Sequence, residues 1–155
     1  MGSFIVRSLG VYGNFYYLVN PREQNGVSTT RGGTASATAI KYKTNTMSVA
    51  DQYLIRGGVN YNLKNFAITA GVRMECVPSE DLIGGSNGFR RPGYVIAAEP
   101  TISYQIKSLN IFAAVPFALE RNRVQSYSDK LRSADTGTKV VGDAAFADYS
   151  VSVGI

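Results

Sequence analysis

Six ionisable side chains fall on the polar positions of alternating apolar/polar segments: Arg56, Arg73, Glu75, Glu99, Glu120 and Asp148. Carboxylates and guanidinium groups so placed can form a charge-assisted hydrogen-bonded cluster, or, as paired acids, do general acid–base work. Ser150 and Ser152 are the conceivable nucleophiles. A serine needs an activating base within hydrogen-bond reach, and the chain has no histidine. The charged set is therefore expected to be structural or to line a polar space, with no enzymatic activity, no metal site and no cofactor. The single cysteine, Cys76, excludes an intrachain disulfide and reads as a small apolar residue beside Met74. A second constellation lies in the loop Asp81–Tyr94, where Asp81, Phe89, Arg90 and Arg91 stand among four glycines. These arginines could hold anions or pair with carboxylates such as Asp81. The spacing of a phosphate-binding loop is missing.

Long strands must position these groups. Tyr53, Ile55, Gly57, Val59, Tyr61 and Leu63 share one face, and after Lys64-Asn65 the face resumes at Phe66 and runs through Ile68, Ala70, Val72 and Met74 to Cys76. Matching the faces sets Leu63 opposite Phe66 and hence Arg56 opposite Arg73. Opposed like charges are unfavourable, so Glu75 and Glu99 are expected to compensate them, with Glu120 and Asp148 on neighbouring strands. A second hairpin repeats the pattern from Tyr94 to Ile106 and from Ile111 to Leu119. Setting Ile106 against Ile111 places Pro100 opposite Phe117 and Pro116 opposite Thr101, where a bulge or weakened pairing is expected. Strands near Ser8–Val19 and across 145–155 bring the total to six. The weakly alternating Thr34–Lys43 segment is expected to extend the strands, and no helix is expected.

The connections alternate long, tight, long, tight, long. The fold class expected is all-β: an antiparallel up-and-down transmembrane β-barrel, or a six-stranded section of one, forming a single domain over 1–155 with short periplasmic turns and long outer loops. Tyr53 and Tyr61, and Tyr94 and Tyr104, bracket the apolar faces as an aromatic girdle. Ten residues at ~3.3 Å each, tilted roughly 40°, rise about 25 Å, the height of the apolar band of such barrels. A soluble ligand-binding β-barrel is the competing reading, but no helix is available to cover the apolar side. The net charge of +5 is scattered through the loops rather than gathered with stacking aromatics, so nucleic acid is not an expected partner. No apolar run reaches the ~20 residues of a membrane helix. No export signal is visible, and Met1-Gly-Ser resembles a cloning scar.

The Tyr12–Pro21 strand end, Thr29-Thr30-Arg31-Gly32, and above all the segments Asp81–Tyr94 and Gly142–Tyr149 resemble the C-terminal portion of a group of outer-membrane β-barrel proteins from Bacteroidota-type bacteria, described as porin-like proteins or transporters. Members carry a signal peptide and further strands upstream and commonly end on an aromatic residue, whereas this chain ends on Ile155. The resemblance implies the bacterial outer membrane as location and a barrel wall as architecture, without catalytic or binding residues to carry over. The expected function is a passive pore or transporter for small solutes. The alternative is a structural or surface-recognition barrel with a plugged lumen. Outer-membrane lipid and lipopolysaccharide are the expected partners, and the oligomeric state is left open.

Overall fold

The computed structural model describes residues 2–6, 8–143 and 146–155. In chain order the strands are β1 (Gly2–Val6), β2 (Leu9–Leu18), β3 (Gln24–Ser28), β4 (Thr46–Ser48), β5 (Gln52–Leu63), β6 (Phe66–Val77), β7 (Gly93–Ile106), β8 (Leu109–Ala114), β9 (Phe117–Arg123) and β10 (Ser152–Gly154). Two helices stand in the long connections, α1 (Ala37–Lys41) and α2 (Tyr127–Thr136). One eight-stranded antiparallel sheet runs β1-β2-β5-β6-β7-β8-β10, with β9 also beside β7. β8 and β9 lie end to end along one edge of β7. Among the described residues no pairing joins β1 to β10, so the sheet is open rather than a closed barrel. β3 and β4 form a separate two-stranded sheet in the first long connection.

The first hairpin has the register that its matched faces require, Leu63 opposite Phe66 and Arg56 opposite Arg73. The second differs by two residues: Ile106 pairs with Leu109, and Thr101 with Ala114. A shift of two leaves every side chain on the same face, so face matching cannot choose between these registers. The tight turn decides it, with Lys107 taking φ 54° and Lys64 taking φ 50° at the same place in the first hairpin. The strand expected over Ile111–Leu119 breaks at Val115-Pro116, where Pro116 has no N–H to donate. Val115 N–H donates to Pro100 O at 3.1 Å, so the two prolines do fall at one level.

Beyond the break the pairing with β7 slips by one residue between Ile96 and Ala97. Leu119 is the extra residue, and alternation reverses after it. Glu120, expected on the polar face, therefore pairs with Ile96 on the apolar one and accepts from the Tyr94 hydroxyl at 2.8 Å.

The last strand is also shorter than expected. Ala145 lies outside the described residues, and regular pairing covers only Ser152–Gly154. Upstream of it Ala118 N–H donates to Asp148 O at 2.8 Å and Ser150 N–H to Pro116 O at 3.3 Å, the one ladder bond that a proline can still accept.

Helices correct two further expectations. Ser36 accepts from Ala39 N–H and caps α1, so the segment expected to extend the strands turns helical instead. In α2, Ser126 and Asp129 form a reciprocal capping box, and Gly137 closes the helix at φ 67°.

Burial is inverted relative to an ordinary domain. Val72, on the apolar face, is 52% exposed, whereas Glu99, on the polar face, is 2% exposed. The buried hydrophobic residues among those described are Cys76, Val95, Ala97 and Ala114. Two aromatic rows bracket the exposed apolar band. Tyr17, Tyr53 and Tyr94 lie toward the long connections, with Tyr17 and Tyr53 stacked at 6.4 Å. Tyr61, Phe66 and Tyr104 lie toward the turns, with Phe66 and Tyr104 at 4.4 Å.

On the polar face, side chains lie flat across glycines of neighbouring strands. Tyr12 crosses Gly58, where a Cβ would come within 3.0 Å of its ring, and reaches Gly71, where a Cβ would collide with its hydroxyl. Phe112 covers Gly154 in the same way, and Phe146 covers Gly93. We expect Gly71→Ala to destabilise the sheet by about 1–3 kcal/mol through overpacking. Adding Tyr12→Phe should recover part of that loss. Gly58→Ala, whose Cβ would meet the backbone of Ala70 at 2.5 Å, should gain nothing from Tyr12→Phe. Denaturant unfolding of the four variants in detergent checks this pattern.

Candidate functional site

Glu99 lies one position along the polar face from the opposed arginines. β7 pairs Glu99 with Gly71, and Gly71 carries no side chain to separate the carboxylate from Arg56 and Arg73. Arg56 grips it bidentately, Nε to Oε2 at 2.8 Å and Nη2 to Oε1 at 2.9 Å. Arg73 Nη1 reaches Oε1 at 3.4 Å, and Arg73 Nη2 pairs with Glu75. Two cations and two anions thus form one balanced group, and the bidentate fork supplies the strongest geometry that an arginine can offer a carboxylate. Glu120 and Asp148 are not part of it. Glu120 is on the opposite face, and Asp148 pairs with Arg121 at the exposed end of the sheet. Ser150 and Ser152 are exposed, and no hydrogen bond to either hydroxyl is present among the described residues.

A second buried charge group roofs the sheet at the ends of the long connections. Arg90 meets Asp81 with Nη1–Oδ1 at 2.8 Å and Nη2–Oδ2 at 2.7 Å, with side chains only 2% and 0% exposed. Arg90 also donates to Ser48 Oγ, at 2.7 Å from Nη2, which ties the second long connection to β4. Asp51 is fully buried and accepts from Tyr17 Oη at 2.7 Å, Asn20 N–H at 2.7 Å and Leu82 N–H at 3.3 Å. Burial alone pushes the Asp51 carboxyl up, but those donors and the nearby Arg90 charge together outweigh it and hold it below its ordinary value of 3.8. The second connection is pinned further by Phe89, whose N–H donates to Thr46 O at 2.7 Å while Ser48 N–H donates to Phe89 O at 3.0 Å. Glu23 accepts from Asn87 N–H at 3.0 Å. The third connection joins through Asp135, which accepts from Lys41 Nζ at 2.7 Å and Tyr42 Oη at 2.6 Å. Those two donors hold the Asp135 carboxyl low and, in turn, Asp135 raises the Lys41 ammonium.

Between the three connections opens a cleft of about 750 Å³. Arg31, Phe89, Arg91, Ser128, Asp129 and Arg132 are among its lining. Of the loop residues singled out from sequence, Asp81 and Arg90 are consumed in the buried pair, whereas Phe89 and Arg91 face the cleft with the guanidinium 5.7 Å from the ring centre. Asp51, Ser48 and Glu23 were not anticipated. Their partners are 25 to 64 positions away, so no local spacing announces them.

Glu99→Gln would leave two arginines facing each other without their shared carboxylate. We expect a loss of about 3 kcal/mol, the low end for breaking a buried pair because both arginines are partly exposed. Replacing Arg56 and Glu99 together by methionine should recover much of it, and denaturant unfolding in detergent reads both. For Asp51, whose folded pKa is depressed, the stabilisation is complete above about 3.8 and is lost as pH falls through the lower folded value. The protection of the Asn20 and Leu82 amides against hydrogen exchange, relative to the intrinsic rate, should therefore fall below about pH 3.8, and Asp51→Asn should remove that pH dependence. No protein-family model, curated protein or solved structure matches this chain.

Proposed function

We propose that the chain forms part of the wall of a bacterial outer-membrane β-barrel, with its apolar face toward lipid and its polar face lining a space through which small solutes pass. One observation carries this reading: the face bearing Val59, Val72 and Ile102 is exposed and lies between two aromatic rows, while the charged face is the more sheltered one, with Glu99 2% exposed. A soluble protein seldom leaves an apolar surface of that extent uncovered. Bacterial barrels present an outward apolar band flanked by aromatic girdles around a polar interior. Tyr53 and Tyr61 are about 26 Å apart along their strand at ~3.3 Å per residue, or about 20 Å in height at a tilt of roughly 40°, which sets the two rows just inside the ~25 Å band. The two-residue turns would then face the periplasm and the three linked connections the outside. The open edges at β1 and β10 would be closed by further strands or by another copy, since unpaired backbone groups cannot face hydrocarbon. No helix among the described residues is long and apolar enough to cross a membrane.

A second reading, a recognition barrel with a filled interior, is favoured by the Arg56–Glu99–Arg73 group and by Tyr12 lying flat across the same face. The chain has no tryptophan, so single tryptophans report without background. Brominated lipid should quench tryptophan placed at Val72 and spare tryptophan placed at Thr69, and equal quenching would defeat the wall assignment. Planar-bilayer recording then separates the two functions: the pore reading requires steady conductance, and a folded, silent insertion supports the recognition barrel.

A further inference from the structure

We propose that the cleft between the three long connections binds phosphate, either as the free dianion or as a phosphate monoester. Three arginines converge on it from three separate parts of the chain. Arg31 stands in the turn after β3 at φ 50°, and the turn is held by Thr30 Oγ1 donating to Gly33 O at 2.6 Å and Gly33 N–H donating to Thr30 O at 3.0 Å. Arg91 stacks on Phe89, whose backbone is pinned to β4. Arg132 lies on α2, one turn beyond Ser128 and on the same side of the helix. Among the described residues none of the three has a carboxylate partner, unlike Arg90, which Asp81 neutralises. Of the carboxylates lining the cleft, Asp143 is paired with Arg123 at 3.1 Å, and Asp129 is turned back to accept from Ser126 N–H and Gly142 N–H. The cleft therefore holds an excess of unneutralised positive charge.

The second, independent observation is Ser128. Ser128 borders the cleft and is 4% exposed, and among the described residues its hydroxyl has no hydrogen-bond partner. A buried hydroxyl without a partner is costly, and a bound oxyanion would satisfy it. Ser128 belongs to the first turn of the ten-residue α2, where unpaired backbone N–H groups and the positive end of the helix dipole also favour an anion. Guanidinium forks at fixed positions suit the tetrahedral, multiply charged oxygens of phosphate better than a single-point anion such as chloride. The site lies on the loops and is independent of whether the sheet lines a pore.

The test uses the full chain in detergent micelles and in nanodiscs. Titration calorimetry with inorganic phosphate should give saturable binding that chloride does not reproduce, and phosphate should raise the thermal midpoint. Arg31→Gln and Arg132→Gln should each weaken binding about tenfold, the loss expected for one charge-assisted hydrogen bond. Ser128→Ala should weaken it less, and Arg22→Gln, outside the cleft, should not change it. The exposed, unpaired positions of Arg31 and Arg132 allow these variants to fold, which circular dichroism verifies. Nanodiscs containing a phosphorylated glucosamine lipid distinguish the source: competition with inorganic phosphate assigns a lipid headgroup, and its absence assigns the free or soluble ester form. Lack of saturable binding, or equal weakening by Arg22→Gln, would overturn the proposal.

Discussion

Glu99 holds together two arginines that the hairpin forces into opposition. Once Leu63 meets Phe66, the two-residue period of a strand leaves no freedom: Arg56 must stand across from Arg73. The repulsion is removed from the next strand, at a position whose neighbour, Gly71, leaves the way open. The requirement reaches further. Burying a carboxylate is costly unless it is paired and hydrogen-bonded, and Glu99, 2% exposed, has both arginines as partners. The face opposite this paired group is exposed and apolar. The inverted burial of the sheet and the charge group are two expressions of one register.

The flat-lying aromatics follow from the same geometry. Beside Val95 and Ala97, the polar face is covered by rings laid sideways. Tyr12 reaches across two strands because Gly58 and Gly71 have no side chains in its path. Above this level the three long connections are joined by polar and ionic pairs, buried at Arg90 and Asp51 and exposed at Asp135, rather than by an apolar core. Arg90 with Ser48, Asp51 with its three donors, and Asp135 with Lys41 and Tyr42 each link segments distant in sequence. Paired charge under low exposure recurs in roof and wall, at Arg90–Asp81, Asp51 and Glu99.

Much of the wall was legible from the sequence, because its information is periodic. Alternation over twelve residues located β5 and β6, and two matched faces sufficed for their register. The second hairpin shows where this stops. A slip of two residues preserves every face, so only the turn conformation at Lys107 could distinguish Leu109 from Ile111 as the partner of Ile106. The prolines gave notice of a defect but not of its consequence, a one-residue slip that moved Glu120 to the apolar side. The loops were least legible. The Ser126-to-Asp129 capping signal was present yet hidden in a polar stretch, and the arginines of the cleft come from positions 31, 91 and 132, which no local pattern connects.

The small apolar interior has a thermodynamic corollary. Folding this chain on its own removes little hydrocarbon from water, because Cys76, Val95, Ala97 and Ala114 are the buried hydrophobic residues among those described. The heat-capacity change and denaturant sensitivity that normally accompany chain compaction should be correspondingly weak. Most of the hydrophobic free energy becomes available only when the outer face meets an apolar medium. For such a sheet, acquiring structure and acquiring a surrounding are not successive steps but a single equilibrium, with the environment acting as the missing half of the core.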